Sequence, residues 1–411
     1  MTVHGLYDSF DPENPDLEIM TLCLDCAKHP SLKRFVEAHA MEGPICGICQ
    51  EVGYAYRACD PKRKNDLTNL IKALIRFYYN EYEYNGHWGG NDEPEDLLAK
   101  PNPILEDQSA PGRTRSPDRS CDFLYDLFSA QPYPPVDEGI SVYAGHDEDG
   151  HRNIQFALKD RISPILATLR ARLATENYFD VEPALRDLVN EFADRITHTM
   201  PAGARYFRAR IGIAARYADH SIGEWRSGVV RQPFSGAELS APPPQLAAAG
   251  RLNRAGVAFL YLASDADTAA AEVRPHPGHF LSIGEFQSLV ELKIATFDAD
   301  IMQFAGNEHE LDLFHFIYST DRIMALPVVP GEASRYSITQ LVAECLRQKG
   351  FDGVSFRSSV GHGQNLCVFR PELFEQVACS LAVREVKSLK YSLEASPTIL
   401  KPGANHYPLK N

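Results

Sequence analysis

The spacing of apolar positions changes character about half-way along this chain. Up to residue 200 it is mainly helical. The runs "NDLTNLIKALIRFYYNEYEY" (65–84), "NIQFALKDRISPILATLRARLATENYF" (153–179) and "EPALRDLVNEFADRITHTM" (182–200) place apolar residues three and four apart. Asp60 suits an N-cap, with Pro61 at the first helical position. Between them, residues 85–137 are rich in Gly, Pro, Asp, Asn and Ser without a sustained period, which predicts a loop or tether. Beyond Gly203, short strand-like runs take over: "YFRARIG", "VAFLYLA", "SLVELKIATF", "GVSF" and "LCVF". The helices among them are "SDADTAAAEVR" and "SITQLVAECLRQKG"; in the second, Ser337 and Gln340 spell a capping box and Gly350 a stop. The pattern predicts an α+β fold with a mixed or antiparallel sheet in the C-terminal half, behind a helical half. The expected divisions are 1–59, 60–202, 203–387 and a polar tail at 388–411.

Composition narrows the function. No stretch approaches the roughly 18 apolar residues of a membrane helix. The first twenty residues carry acids and no basic, apolar leader, so a cytoplasmic protein is expected. A formal net charge of -14 sets an acidic surface against a phosphate backbone, which disfavours nucleic acid as a partner.

Cysteines add the first chemistry. Cys23 and Cys26, then Cys46 and Cys49, form two CxxC pairs spaced as in zinc ribbons, and four thiolates satisfy tetrahedral Zn2+ with no open position. A structural zinc is expected. Redox pairing or coincidence is the competing reading. Cys59, Cys121, Cys345, Cys367 and Cys379 are scattered and read as buried thiols.

The C-terminal half has no P-loop, HExxH, nucleophile elbow or strand-linked GxGxxG. His276 and His279 in "RPHPGH" read as loop residues, not a metal pair. Taken together, "YFRAR" (206–210), "GRLNRAGVAFLYLASDADTAAAEVRP" (250–275) and "GFDGVSFRSSVGHGQNLCVF" (350–369) resemble the three blocks of the RES domain, a family named for its Arg, Glu and Ser. The helical half more loosely resembles the HEPN/RES N-terminal domain, although Arg195 and His198 stand too close for a HEPN ribonuclease motif.

The resemblance implies an ADP-ribosyltransferase-like fold and a toxin or defence effector that acts on NAD+, degrading it or transferring ADP-ribose to a protein. It places the family's functional residues on Arg208, Arg251, Tyr261, Glu272 and Ser358, with Asn365 as a further nucleotide-binding residue. Arg254 stands where the family has a proline or small residue. Implied partners are NAD+, phosphate as an acceptor, an antitoxin or regulatory protein, and a second copy of the chain. A silent nucleotide- or partner-binding module is the alternative.

The chemistry of NAD+ cleavage asks for these residue types. Nicotinamide leaves as a neutral molecule, so one carboxylate, Glu272, suffices to stabilise a cationic ribose. The guanidinium forks of Arg208 and Arg251 match pyrophosphate oxygens. Tyr261 offers a ring and a hydroxyl, and Ser358 a hydrogen bond to ribose or phosphate. Taken singly, each residue has a plainer reading. Ala266, Ala269, Ala270 and Val273 already give the helix its apolar stripe, leaving Glu272 for solvent, and Tyr261 alone would be core.

Overall fold

A computed structural model describes residues 20–49, 52–58, 61–84, 97–98, 100–106, 140–141, 145–146, 156–220, 228–326, 336–390 and 395. Strands β1 (Met20–Cys23), β2 (Ala40–Ile45) and β3 (Val52–Ala58) form an antiparallel sheet in the order β1-β3-β2, with helix α1 (Pro30–His39) alongside. Helix α2 (Pro61–Tyr78) matches the helical spacing and is followed by the single turn α3 (Glu81–Tyr84). Its expected cap, Asp60, lies outside the described residues.

The predicted tether is in part core. Leu97, Leu98, Ile104 and Leu105 are buried, and the Ile104 carbonyl accepts from the amides of Lys28 and His29 at 3.0 Å. Asn102 closes this turn, its Oδ1 accepting from the amides of Ile104 and Leu105. Four apolar residues without a period gave no signal of burial. The short strands β4 (Ile140–Ser141) and β5 (Gly145–His146) pair with each other.

Helices α4 (Pro164–Leu173) and α5 (Tyr178–Phe192) account for the next two runs, but "THTM" is not helical. It forms strand β6 (Thr197–Met200), which pairs with β12 (Leu292–Thr296) at the edge of the large sheet. Two threonines on alternate positions suit an extended edge better than a further helical turn.

The large sheet contains β7 (Arg205–Ile211), β10 (Leu260–Ala263), β11 (Phe280–Ser288), β13 (Gly353–Arg357), β14 (Gln364–Val368), β15 (Phe374–Gln376) and β16 (Ala382–Glu385) besides β6 and β12. A separate hairpin joins β8 (Ala215–Asp219) to β9 (Gly228–Gln232). The order is β15-β11-β7-β10-β14-β13-β12-β6, with β16 also on β11. Only the β12–β13 pair is parallel, so the described sheet is mixed, as expected.

Helices α6 (Ala266–Glu272), α7 (Glu308–Ala325) and α8 (Ser337–Gln348) complete this half. The sequence pattern missed α7 because it is buried on several sides, with Leu311, Leu313, Phe314, Phe316 and Ile317 all in the core and no clean stripe. In α8 the expected capping box does not form. Tyr336 occupies the N-cap, Ser337 lies inside the helix, and Gln340 bonds a neighbouring loop instead. Gly350, at φ +86°, ends the helix as read.

Packing does not break at residue 203. One core runs from Leu22 through α2, α4 and α5 into α7, α8 and Cys367. The Phe192 and Phe316 rings lie 5.8 Å apart, and Arg195 pairs with Glu310 at 2.9 Å. The four-cysteine module is joined to the sheet half by Arg34 and Asp300 at 2.5 Å. The tail beyond residue 387 lies outside the described residues except 388–390 and 395.

Candidate active site

Side chains alternate along strands, so the register puts Phe207, Ala263, Asn365 and Phe356 on one face, together with Ala209 and Tyr261. Helix α6 covers the β7–β10–β11 part of that face, through Ala269 against Ala209, Ala263, Leu281 and Ile283. Val354, Phe356 and Cys367 join α7 and α8 in the other core cluster. A cavity of about 490 Å³ lies between the two coverings, lined by Phe207, Arg208, Arg251, Tyr261, Glu272, Arg274, Tyr336, Phe356 and Asn365 among others. That size is ordinary for a small-molecule site.

Strands β7 and β10 pair only at Ala263 and Phe207 before they diverge. Arg208 bridges the opening, its Nη1 donating to the Tyr261 carbonyl at 2.6 Å. Its Nε is buried without a partner among the described residues. Burial pulls the guanidinium down to about 10, helped by the neighbouring charge of Arg210, so it remains a cation at neutral pH. Arg208 therefore has a structural bond as well as a place in the cavity.

Glu272 ends α6. The helix is started by Asp265, whose Oδ1 accepts from the Thr268 amide at 2.7 Å, and the bond holds that carboxyl below its usual range. At the other end, Glu272 Oε1 accepts from Ser358 Oγ and from Asn365 Nδ2, each at 2.6 Å. The Ser358 hydroxyl also accepts from the amides of Val360 at 3.2 Å and Gly361 at 2.9 Å. One donor and two acceptors exhaust a hydroxyl. Ser358 thus reaches the site through Glu272, and the expected direct bond from Ser358 to ribose or phosphate has no hydrogen-bonding capacity left. The same Glu272 Oε1 accepts a second bond from Asn365, which lines the cavity.

Tyr261 is also engaged differently from expectation. Its hydroxyl donates to Asn253 Oδ1 at 2.8 Å and accepts from the Leu252 amide at 3.1 Å, so the ring borders the cavity while the hydroxyl fixes the GRLN loop. Burial raises this phenol well above its ordinary value. Asn253, which sequence reasoning left without a role, donates to the carbonyls of Ala248, Arg254 and Val257. A side chain at Gly250 would run into Asn253 Oδ1 and the Tyr261 hydroxyl, so the loop needs glycine there. Arg251 leaves this loop for the cavity, with Nη1 bonded to the Leu326 carbonyl at 3.0 Å and Nη2 to Ser359 Oγ at 3.4 Å.

Arg274 was missed as well. It lines the cavity two residues after Glu272, in the left-handed region at φ +48°, which non-glycine residues seldom occupy. His276 and His279 remain loop residues, as read. Of the scattered cysteines, Cys345 and Cys367 are buried, but Cys379 is exposed, at φ +60° in a turn; Cys59 and Cys121 lie outside the described residues.

The four CxxC cysteines stand apart from this cavity. They are buried, and their sulfurs all lie within 4.8 Å of one another. Cys23 and Cys49 are 3.7 Å apart at sulfur, against ~3.8 Å for two corners of a tetrahedron with Zn–S bonds of ~2.3 Å. Cys46 Sγ accepts from the amides of Cys23 and Ile48 at 3.4 Å, as metal-bound thiolates commonly do. The donor set fits zinc.

With the geometry in place, one comparison decides the class. Residues 214–386 match the family model described as the RES domain. The chain carries a RES domain. The match includes Arg251, Tyr261, Glu272, Ser358 and Asn365 but begins after Arg208, which lines the cavity and bonds the Tyr261 carbonyl. It does not extend to the N-terminal half. A search of curated proteins returns no match. Among solved structures, the M. tuberculosis MbcT-MbcA toxin-antitoxin complex aligns over 49% of this chain and 92% of that one, at 13% identity and a TM-score of 0.27. A likeness that low adds nothing to the RES match. No helix among the described residues is long and apolar enough to cross a membrane.

Proposed function

We propose that the RES domain is an NAD+-consuming enzyme that breaks the nicotinamide–ribose bond in the cavity between α6 and α8. The observation that carries this reading is the ratio of charges. Among the described lining residues Glu272 is the one acid, and it faces the same space as Arg208, Arg251 and Arg274. A glycosidase acting on a neutral sugar needs two carboxylates, one to protonate the leaving oxygen. NAD+ needs one, because the C1'–N electron pair departs with the pyridinium nitrogen and makes nicotinamide neutral.

Positive charge then appears on the ribose. Glu272, with one oxygen fixed by Ser358 and Asn365, stabilises it, and the arginines hold the pyrophosphate. Water or inorganic phosphate adds at C1', giving ADP-ribose or its 1-phosphate; with water, the extra proton passes to solvent. Tyr261 and Phe356 supply aromatic surface for a base.

The wider proposal follows the family resemblance: an ADP-ribosyltransferase-like fold, a cytoplasmic toxin or defence effector restrained by an antitoxin or regulatory partner, and a HEPN-type helical half. Zinc, if held by Cys23, Cys26, Cys46 and Cys49, would stabilise the N-terminal module without entering the reaction. NAD+ labelled in its adenylate half tests the reading. Labelled ADP-ribose, or its phosphate when phosphate is present, is the expected product. Label retained on protein would replace hydrolysis by protein ADP-ribosylation, and intact NAD+ would leave a binding module.

A further inference from the structure

Arg254, the residue that departs from the RES pattern, lies at a junction of three elements. Its guanidinium carbon is 4.6 Å from the centre of the Tyr178 ring, on the first residue of α5. Its charge also helps hold the carboxyl of Glu344, on α8, below its usual range, after the larger effect of the Arg347 bond. The Tyr178 hydroxyl is buried with no hydrogen-bond partner among the described residues, so the ring makes the contact with Arg254. From the other side, α8 grips the same loop. Gln340 Nε2 donates to the carbonyls of Gly250 at 2.8 Å and Asn253 at 3.0 Å, and Thr339 Oγ1 donates to that of Arg251 at 2.5 Å. Helices α5 and α8 are themselves tied by Gln348 and Glu182 at 2.9 Å.

We propose that Tyr178 and Arg254 form a clamp through which helix α5 holds loop 248–257, and with it Arg251, in the binding position. Tyr178 is then a positioning residue for ligand binding, although it belongs to the segment before the RES domain and does not line the cavity. The loop's inner side is pinned by Asn253 and Tyr261, its carbonyls by α8 and its exposed side by this pair. Removing the pair leaves the sheet intact but loosens the segment that carries a cavity arginine. The consequence for ligand binding rests on the NAD+ reading; the consequence for the loop does not.

Hydrogen exchange on the full-length protein, read over residues 248–257, tests the clamp without ligand. An exposed cation–π contact of ordinary strength predicts about two- to five-fold faster exchange in this loop for Arg254→Ala and Tyr178→Leu. Arg254→Glu, which sets an acid near Glu344, should speed it further. Tyr178→Phe, which keeps the ring, should match the wild type. The double variant Tyr178→Leu/Arg254→Ala should exchange no faster than the faster single one. In turnover assays Arg254→Ala and Tyr178→Leu should raise KM for NAD+ by a similar factor with kcat held, and Tyr178→Phe should not. Unchanged loop exchange in Arg254→Ala and Tyr178→Leu, or the full effect in Tyr178→Phe, would overturn the clamp. Faster exchange with unchanged KM would overturn its link to the ligand. A wild type that consumes no NAD+ fails the proposed function, while the exchange data still decide the clamp.

Discussion

The Ser358 hydroxyl makes three hydrogen bonds with protein groups, and that saturation fixes its part in the site. With the Val360 and Gly361 amides on its lone pairs, its proton can go only to Glu272. Ser358→Ala is therefore expected to lower kcat about ten-fold or more while changing KM for NAD+ little, because a bond to a charged carboxylate is lost and no ligand contact is. Ser358→Thr should recover much of the rate. A steady-state split into kcat and KM checks this, and a rise in KM alone would return Ser358 to the ligand. The residue types at the site were readable in the sequence, since Arg251, Tyr261, Glu272, Ser358 and Asn365 sit in quoted blocks. Their division of labour was not. Nothing linear shows that Tyr261 and Asn253 close on each other, or that Gln340, spelled as a capping residue, binds a loop ninety residues earlier.

At the scale of elements, the four-cysteine module makes a direct prediction. Metal analysis of the purified protein should find about one zinc per chain, and the Cys23→Ser/Cys46→Ser variant should lose it together with thermal stability. Equal metal content in both would remove the site. Two histidines, one in each half of the chain, make the fold sensitive to acid. Burial lowers both His29, which caps α1, and His315 on α7, whose Nε2 lies 3.2 Å from the Arg161 carbonyl. Their neutral forms are favoured when folded, so the unfolded chain binds more protons below the ordinary value of 6.5. Stability should be full above that pH and fall as pH drops below it. Melting temperature across that range checks the sign, and His315→Gln should flatten the slope. Elements with one exposed face, such as α5, were legible from spacing. Helix α7 and the buried turn around Asn102 were not, because burial on several sides erases the period from which sequence patterns are read.

At the scale of the molecule, the continuous core is the main departure from a chain of separate units. Leu22, Phe192, Phe316 and Leu346 belong to one cluster that crosses residue 203, so the helical half forms part of the support for α7 and α8. Denaturant unfolding should give one transition when followed by far-ultraviolet circular dichroism and by near-ultraviolet signals, and two separated transitions would contradict the packing. Truncating Phe192 to alanine should cost ~3–5 kcal/mol and lower the melting point of the whole protein, not of one half. The central claim, however, rests on one carboxylate among three arginines. Its most direct test is nicotinamide release from NAD+ by the wild type and by Glu272→Gln, which keeps the shape of the side chain and removes its charge. The account predicts release by the wild type and a loss of about 100-fold or more in the variant, with NAD+ still bound; undiminished release by Glu272→Gln would contradict it.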